Sequence, residues 1–550
     1  MNTEPSGLRA LSNLGDIVPY VCKQREVGGD PAAVCGDAEL SWTEFEAKTS
    51  RLASVLQTHG IEHEERVGIY LHKSIESLVA VYGVLRSGAC YVPLDPLAPV
   101  TTTASIIQDC EVSVLVTANP ASRRLTDVFE CVGSFGRAVA ELLVIGADSG
   151  VSDVRSIPWS EVDEYAPIEP QEIDPDGIAY IMYTSGSTGV PKGIVHTHRS
   201  GLAYALNAAT LYELCSDDRM ASLSPLHFDM SLLEFFAGVM VGATIVIVAE
   251  PYLKVPASLG QLLSEARCTT LYAVPSLYQQ LLHRGGLADR DYSALRLVLT
   301  AGEVFPVEPL RSLFQLWSHA TFSNVYGPAE VNQCSYFTFD SADAIPVASP
   351  LPIGQPWKNT EFKVLDDDDN PVRPGERGLL VVATSTMMRG YWKRPDLNSR
   401  AFVELENQSG HLARWYRTGD VVARRDDGEL VFFGRRDNQV KVRGYRVELE
   451  MVEDAVCGMP GIAQAVVGPQ LLESGDTCLA AFYELVDERD VETEPADTTP
   501  LHDDWLQRLA LVLPSYAIPR VFSEVPAFPL TASGKIDRRT VRESIQQAVD

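Results

Sequence analysis

The chain has 550 residues, more than one ordinary core accommodates, so two or more domains are expected. Hydrophobic residues make up 45% and charged residues 22%, the composition of an ordinary soluble globular protein. The 74 acidic and 45 basic residues give a formal charge of −29, which argues against a nucleic-acid partner; any anionic nucleotide must be held by local backbone N–H groups and a few basic side chains.

In chain order, Met1 to Lys23 lacks the basic start and apolar core of a secretory signal. Ser41-Trp-Thr-Glu44 fits a capping box opening a helix whose Phe45, Leu52, Val55 and Leu56 fall near one face. From about residue 40 to 340, strand-like runs alternate with helical patterns, with strand candidates at 67–71, 113–117, 178–183, 244–248, 270–274 and 296–299. Such alternation implies parallel sheets flanked by helices. The longest apolar run, 235–249, is 15 residues with two glycines. A membrane-spanning helix needs about 20, so this run reads as a buried helix end turning into a strand. Past residue 350, short strands at 361–365, 378–383, 421–424 and 430–433, with a turn at Asp426-Asp-Gly428, indicate a smaller antiparallel β subdomain. A final α+β unit follows from about Asn438; within it, residues 484–504 hold nine acids, one Arg and two prolines, a solvated excursion without an assigned role. The ten cysteines form no C-x-x-C pair and no His/Cys cluster at metal-ligand spacing, so reduced thiols in a cytoplasmic protein are expected.

The segment Tyr183-Thr-Ser-Gly-Ser-Thr-Gly-Val-Pro-Lys-Gly193 carries the first chemistry. Gly186 and Gly189 let the backbone turn N–H groups toward an anion, and the hydroxyls of Thr184, Ser185, Ser187 and Thr188 add donors. Lys192 supplies positive charge. This is not a Walker A loop, because Gly193 follows the lysine and Pro191 interrupts the path into a helix. A Ser/Thr/Gly loop alone is often only a connector; the Pro-Lys-Gly ending after a strand candidate reads as phosphate binding.

The loop resembles the signature of the adenylate-forming superfamily, which includes acyl-CoA synthetases, luciferases and adenylation domains of nonribosomal peptide synthetases. Further motifs follow in family order: Leu85-Arg-Ser-Gly-Ala-Cys-Tyr-Val-Pro-Leu-Asp95, Phe228-Asp-Met-Ser231, Asn324-Val-Tyr-Gly-Pro-Ala-Glu330, Tyr416-Arg-Thr-Gly-Asp420, Gly434-Arg-Arg-Asp-Asn-Gln-Val-Lys-Val-Arg-Gly444, Leu513-Pro-Ser-Tyr-Ala-Ile-Pro519 and Pro529-Leu-Thr-Ala-Ser-Gly-Lys-Ile-Asp537. The resemblance implies a mixed α/β fold: a large N-terminal unit, 1–436, of two flanked sheets plus a β-barrel-like subdomain, and a small mobile α+β unit, 437–550, hinged at Asp437.

Its chemistry is the attack of a carboxylate on the α-phosphorus of ATP, which needs charge neutralisation and Mg²⁺. By resemblance, Glu330 is the Mg²⁺ ligand, Tyr326 stacks on adenine, Asn324 bonds its amino edge, and Asp420, in a Thr-Gly-Asp turn, takes both ribose hydroxyls. Gly302, Phe432 and Arg435 complete the nucleotide site. Lys535 resembles the mobile lysine of the adenylation step, and the segment from Lys441 to Gly444 the face presented for the second step. One departure is Ala329, where the family usually has a Thr whose hydroxyl helps to hold the α-phosphate.

Asp229 matches the aspartate that amino-acid-activating members pair with the substrate ammonium. Surrounded by Phe228, Met230, Leu232 and Leu233, it would be costly to bury without a cation; the bland alternative is a helix N-cap. The family's pocket positions correspond to Asp229, Met230, Leu233, Ala273, Leu299, Ala301, Val325, Gln333 and Cys334, a mostly apolar set implying an apolar side chain. The chain ends 15 residues after Lys535 with no carrier-protein segment, so a freestanding enzyme that loads a carrier protein in trans through its phosphopantetheine arm is expected. The stretch from Tyr326 to Cys334 resembles most the enzymes that load β-amino acids for macrolactam polyketides; an α-amino acid such as proline or alanine, or an acyl- or aryl-CoA ligase, are the alternatives.

Overall fold

The computed structural model describes residues 11–24, 29–118, 124–147, 154–184, 191–346, 351–472, 477–485, 501–529 and 536–547. The capping box forms: the Ser41 hydroxyl accepts from the Glu44 N–H at 3.2 Å, and the Glu44 carboxylate accepts from the Ser41 N–H at 3.0 Å, starting helix Trp42–Thr58. Phe45, Leu52, Val55 and Leu56 are fully buried on its inner face.

Among the described residues, two large, mostly parallel sheets organise the first two thirds of the chain. An eight-stranded sheet runs Gly390–Tyr391, Lys192–Thr197, Ile178–Thr184, Cys90–Leu94, Arg66–Tyr70, Val114–Thr117, Leu143–Gly146, Arg155–Pro158. A nine-stranded sheet centres on Leu297–Thr300, Thr270–Ala273, Arg219–Ser222 and Thr244–Ile247, all parallel, with Thr321–Tyr326 beside Leu297–Thr300. Alternate residues face opposite layers: Val67 and Ile69 join the cluster between the two sheets, whereas Tyr70 packs outward on helices Val100–Asp109 and Leu125–Ser134. The far face of the nine-stranded sheet is covered by helices Pro256–Glu265, Pro275–Arg284 and Val307–Leu316. The expected strands therefore form with ends shifted by a residue or so, and the fold is mixed α/β, as expected.

The apolar run at 235–249 is a helical segment, Leu233–Gly238 with one π-type turn, that stops at Gly242 (φ +77°) and enters strand Thr244–Ile247. Among the described residues no helix is long and apolar enough to cross a membrane.

A five-stranded antiparallel sheet follows, comprising Thr360–Leu365, Arg377–Thr384, Leu412–Arg424, Phe402–Glu406 and Leu430–Arg435. Here the structure corrects one expectation: the Thr-Gly-Asp segment is no turn but a bulge inside the 13-residue strand Leu412–Arg424. Gly419 at φ +77° allows the local kink, which leaves Asp420 buried at the cavity wall. Beyond it come hairpin Gln439–Val442/Tyr445–Glu448 and the three-stranded sheet Ile462–Leu471, Thr477–Leu485, Val521–Glu524, packed with helices Leu449–Cys457, Leu501–Val512 and Arg538–Gln547 into their own apolar clusters.

Candidate functional site

Neighbouring parallel strands of the nine-stranded sheet end at a cavity of about 750 Å³. Loops at the carboxyl ends of such strands are where open α/β sheets bind ligands. Asp229 follows strand Arg219–Ser222, Tyr272 lies in Thr270–Ala273, Ala301 and Gly302 follow Leu297–Thr300, and Asn324 to Ala329 lead out of Thr321–Tyr326; all border the cavity. Strand Ile178–Thr184 of the other sheet contributes Thr184, and the hairpin 439–448 closes the opposite side with Lys441, Gly444 and Arg446. Ser185, Gly186, Ser187, Thr188, Gly189 and Lys535 lie outside the described residues.

Glu330 is fully buried. It accepts from Tyr391 Oη at 2.7 Å and from Arg446 Nη1 at 3.0 and 3.1 Å on its two oxygens. Burial opposes its ionisation, but the Arg446 guanidinium and the Lys192 ammonium overcome that cost and hold the carboxyl well below the usual range. Lys192 lies over the Tyr391 ring, with Nζ 5.7 Å from its centroid and 3.5 Å from Glu448 Oε1. A single ionised, oxygen-only ligand suits Mg²⁺, which is commonly held by one or two carboxylates plus phosphate oxygens. Thr184 Oγ1 is buried without a hydrogen-bond partner, and it borders the cavity together with Ala329. Ala329 itself accepts on its carbonyl from His196 Nε2 at 2.9 Å, and burial pushes this imidazole down to about 4, so it is neutral.

Several of the residues expected at the nucleotide gather around Asp420, which is 4% exposed. Asp420 accepts from the Tyr326 hydroxyl and from Arg435 Nη1, the latter at 2.6 Å. Burial raises its carboxyl, and Arg435 opposes this. Arg435 also clamps both carboxylate oxygens of Asp437, at 2.7 and 2.8 Å, tying the expected hinge residue to the expected ribose ligand. Asn324 Nδ2 donates to the Pro352 carbonyl at 2.8 Å. Gly302 (φ +94°) and Phe432 border the same space.

Of the residues expected to line the substrate pocket, Asp229, Met230, Ala301, Val325 and Gln333 border the cavity. Desolvation pushes the Asp229 carboxyl up to about 6, opposed by Lys441. Asp229 is the first residue of the short 3₁₀ turn Asp229–Ser231, whose N-cap is Phe228, so the N-cap alternative does not describe it. Leu233, Ala273, Leu299 and Cys334 are buried in the core and do not border the cavity. Strand alternation explains Ala273: it faces the outer helices, and its neighbour Tyr272 faces the cavity. Tyr272 was missed in the sequence for that one-residue reason; its hydroxyl accepts from Gln333 Nε2 at 2.6 Å. Tyr391, Glu303 and Glu448 were also missed, because each sits outside the recurrent motifs and acts through a partner: Glu303 accepts from the Gly444 N–H at 2.8 Å and so holds the hairpin on the core.

Residues 22–392 match the family described as AMP-binding enzyme. The chain is similar to a dimodular nonribosomal peptide synthase of Bacillus subtilis, 33% identical over 514 residues that take in 93% of the chain and 20% of that protein. It thus spans a fifth of that relative's length. It is also similar to the L-proline–[L-prolyl-carrier protein] ligase of Pseudomonas fluorescens, 32% identical over 509 residues, 92% of the chain and 94% of that relative. Among solved structures, the amide bond synthetase McbA from Marinactinospora thermotolerans has a TM-score of 0.81 over 97% of the chain and 100% of its own, at 22% identity, a likeness of fold.

Proposed function

The chain belongs to the family of AMP-binding enzymes, and from that premise we propose that it activates an amino acid with ATP as the aminoacyl-adenylate and passes the acyl group to the phosphopantetheine thiol of a carrier protein. In the first step a carboxylate oxygen bonds to the α-phosphorus and the bond to pyrophosphate breaks. In the second, the thiol sulfur bonds to the acyl carbon, its proton leaves to solvent, and AMP departs with the bonding electrons. Bound Mg²⁺ would neutralise phosphate charge from Glu330. Lys192 and the Thr184 hydroxyl would face the phosphates, and Asp420 with Arg435 and Tyr326 would position the nucleoside. ATP chemistry and a carrier partner fit a cytoplasmic enzyme.

The observation that carries the amino-acid reading is Asp229, a desolvated carboxylate at one end of a cavity bordered there also by Met230, Ala301, Val325, Gln333 and Tyr272. A carboxylate so placed favours a ligand with a cation. The apolar neighbours favour an apolar side chain, and the resemblance of the stretch from Tyr326 to Cys334 favours a β-amino acid. The L-proline ligase relative supports the second reading, an α-amino acid such as proline. We assign residues 437–550 as a mobile unit hinged at Asp437, supported by the separate apolar clusters of that region. In this arrangement the Lys441–Gly444 face borders the cavity, as suits the second step. Pyrophosphate exchange across a panel of α- and β-amino acids, followed by mass analysis of a loaded carrier protein, tests the reading. A clear preference for α-amino acids removes the β assignment.

A further inference from the structure

The short turn that carries Glu330, Ala329–Val331, is held from behind, on the side away from the cavity. Residues 192, 194 and 196 share one face of strand Lys192–Thr197, with Lys192 opposite Thr184 and His196 opposite Tyr180. The turn lies along that face: Ala329 meets His196, and Val331 shares an apolar cluster with Ile194. A carbonyl only accepts, so the one proton of the neutral His196 ring is on Nε2, 2.9 Å from the Ala329 oxygen. Nδ1 is left as an acceptor, 3.4 Å from Asn332 Nδ2. Tyr180 stacks on the imidazole, with centroids 4.8 Å apart and planes 14° from parallel, and so fixes the plane of the ring. Asn332, which ends the turn, has φ +54° and ψ −122°. Among the described non-glycine residues with positive φ it is the one that is fully buried. Its Nδ2 also donates to the Thr386 carbonyl at 3.2 Å, while its Oδ1 is buried without a hydrogen-bond partner among the described residues. A strained backbone and an unpaired buried oxygen both cost stability, and costs of this kind collect at functional sites.

We propose that His196 and Asn332 are positioning residues that fix this turn from behind and so preset the Glu330 carboxylate for Mg²⁺. This rests on the adenylation reading above, in which Glu330 serves the metal. A metal ligand binds well when hydrogen bonds outside the coordination sphere orient it in advance. Three successive carbonyls of the turn are tied down: Ala329 to His196 Nε2, Glu330 to the Met388 N–H at 2.7 Å, and Val331 to Thr386 Oγ1 at 2.7 Å. The first of these ties depends on a single side-chain N–H, placed directly before the carboxylate in the chain. His196 and Asn332 act as one unit, because the Asn332 amide faces the ring nitrogen that the Ala329 bond leaves free. A lysine or arginine in place of His196 would also reach a carbonyl, but it would bring a second cation to Glu330 and compete with the metal for it. The neutral imidazole holds the turn without adding charge.

The test uses the full chain, with ATP titrated calorimetrically at saturating magnesium and again in EDTA, no amino acid being present. The ratio of the two dissociation constants is the contribution of the metal. His196→Phe keeps a ring against Tyr180 and loses the N–H; the metal's contribution is expected to fall about tenfold, with AMP binding in EDTA held within about twofold. His196→Gln places an amide N–H where Nε2 stood and should bring the contribution back to within about threefold of wild type. Asn332→Gly relieves the backbone and removes the amide, and should lose about as much as His196→Phe; it carries the test alone should His196→Phe not fold. In pyrophosphate exchange, the magnesium concentration for half-maximal rate should rise in step while KM for the amino acid stays unchanged. Glu330→Gln is the reference. If it abolishes the metal's contribution while His196→Phe and Asn332→Gly leave that contribution intact, the proposal is overturned and the adenylation reading stands. Equal weakening of AMP, ATP and amino acid binding, in step with lost folding stability and without rescue by glutamine, marks a merely structural pair and overturns it too. A contribution that Glu330→Gln does not lower takes Glu330 away from the metal, and the proposal falls with that reading.

Discussion

If Asp229 pairs with a substrate ammonium, amino acid affinity must follow its ionisation. Desolvation raises its carboxyl from 3.8 to about 6 in the free protein. At pH 5 only about a tenth of sites are then ionised, against about nine tenths at pH 7. The dissociation constant of the amino acid that gives the strongest pyrophosphate exchange should therefore rise about tenfold from pH 7 to pH 5, with close to one proton released per bound ligand at the lower pH. Calorimetric titration in two buffers of different ionisation enthalpy measures both quantities. The stability consequence has the opposite sign. A folded-state value above the unfolded one means that the charged carboxylate costs stability above pH 6, and that this cost is absent below pH 3.8. It amounts to about 3 kcal/mol at pH 8. Asp229→Asn should thus bind the amino acid at least a hundredfold more weakly, about 3 kcal/mol for removing one partner of a buried pair, and yet unfold at higher denaturant at pH 8. An affinity flat between pH 5 and 7, without proton release, would refute the pairing.

Further outcomes follow from other groups. Glu234 is buried with neither oxygen hydrogen-bonded, and burial pushes it up to about 8; Glu234→Gln should stabilise the protein at pH 8 by on the order of 2–4 kcal/mol and flatten the fall in stability from pH 4.5 to 8, read from denaturant melts at several pH values. Gly444→Ala places a side chain at φ +81° against Val274; carrier loading should slow about tenfold, for roughly 1–2 kcal/mol of strain, while pyrophosphate exchange stays within about twofold. Asp420→Asn weakens its contacts to Arg435 and Tyr326, and AMP binding by calorimetry should fall by roughly ten- to a hundredfold.

The sheets were legible because their strands are buried on both faces and read as apolar runs between helical patterns, and Ser41 announced its helix through a local hydrogen-bond pair. Asp420 was found by its motif but not its conformation, since a positive-φ glycine marks a bulge and a turn alike until the neighbouring strands are known. Tyr272 and Ala273 exchange places with a one-residue change of register, which a single sequence does not fix. Arg446 and Glu448 carried no signal of their own, because their role comes from meeting Glu330 and Lys192, more than a hundred residues away in the chain.

Amino-acid-dependent exchange of labelled pyrophosphate into ATP, run with each amino acid beside the same acid lacking its amine, bears most directly on the assigned chemistry. Exchange with an apolar amino acid, abolished by Asp229→Ala and absent with the deaminated acid, is the expected result. Equal or faster exchange with the deaminated acid, unaffected by that substitution, would contradict it.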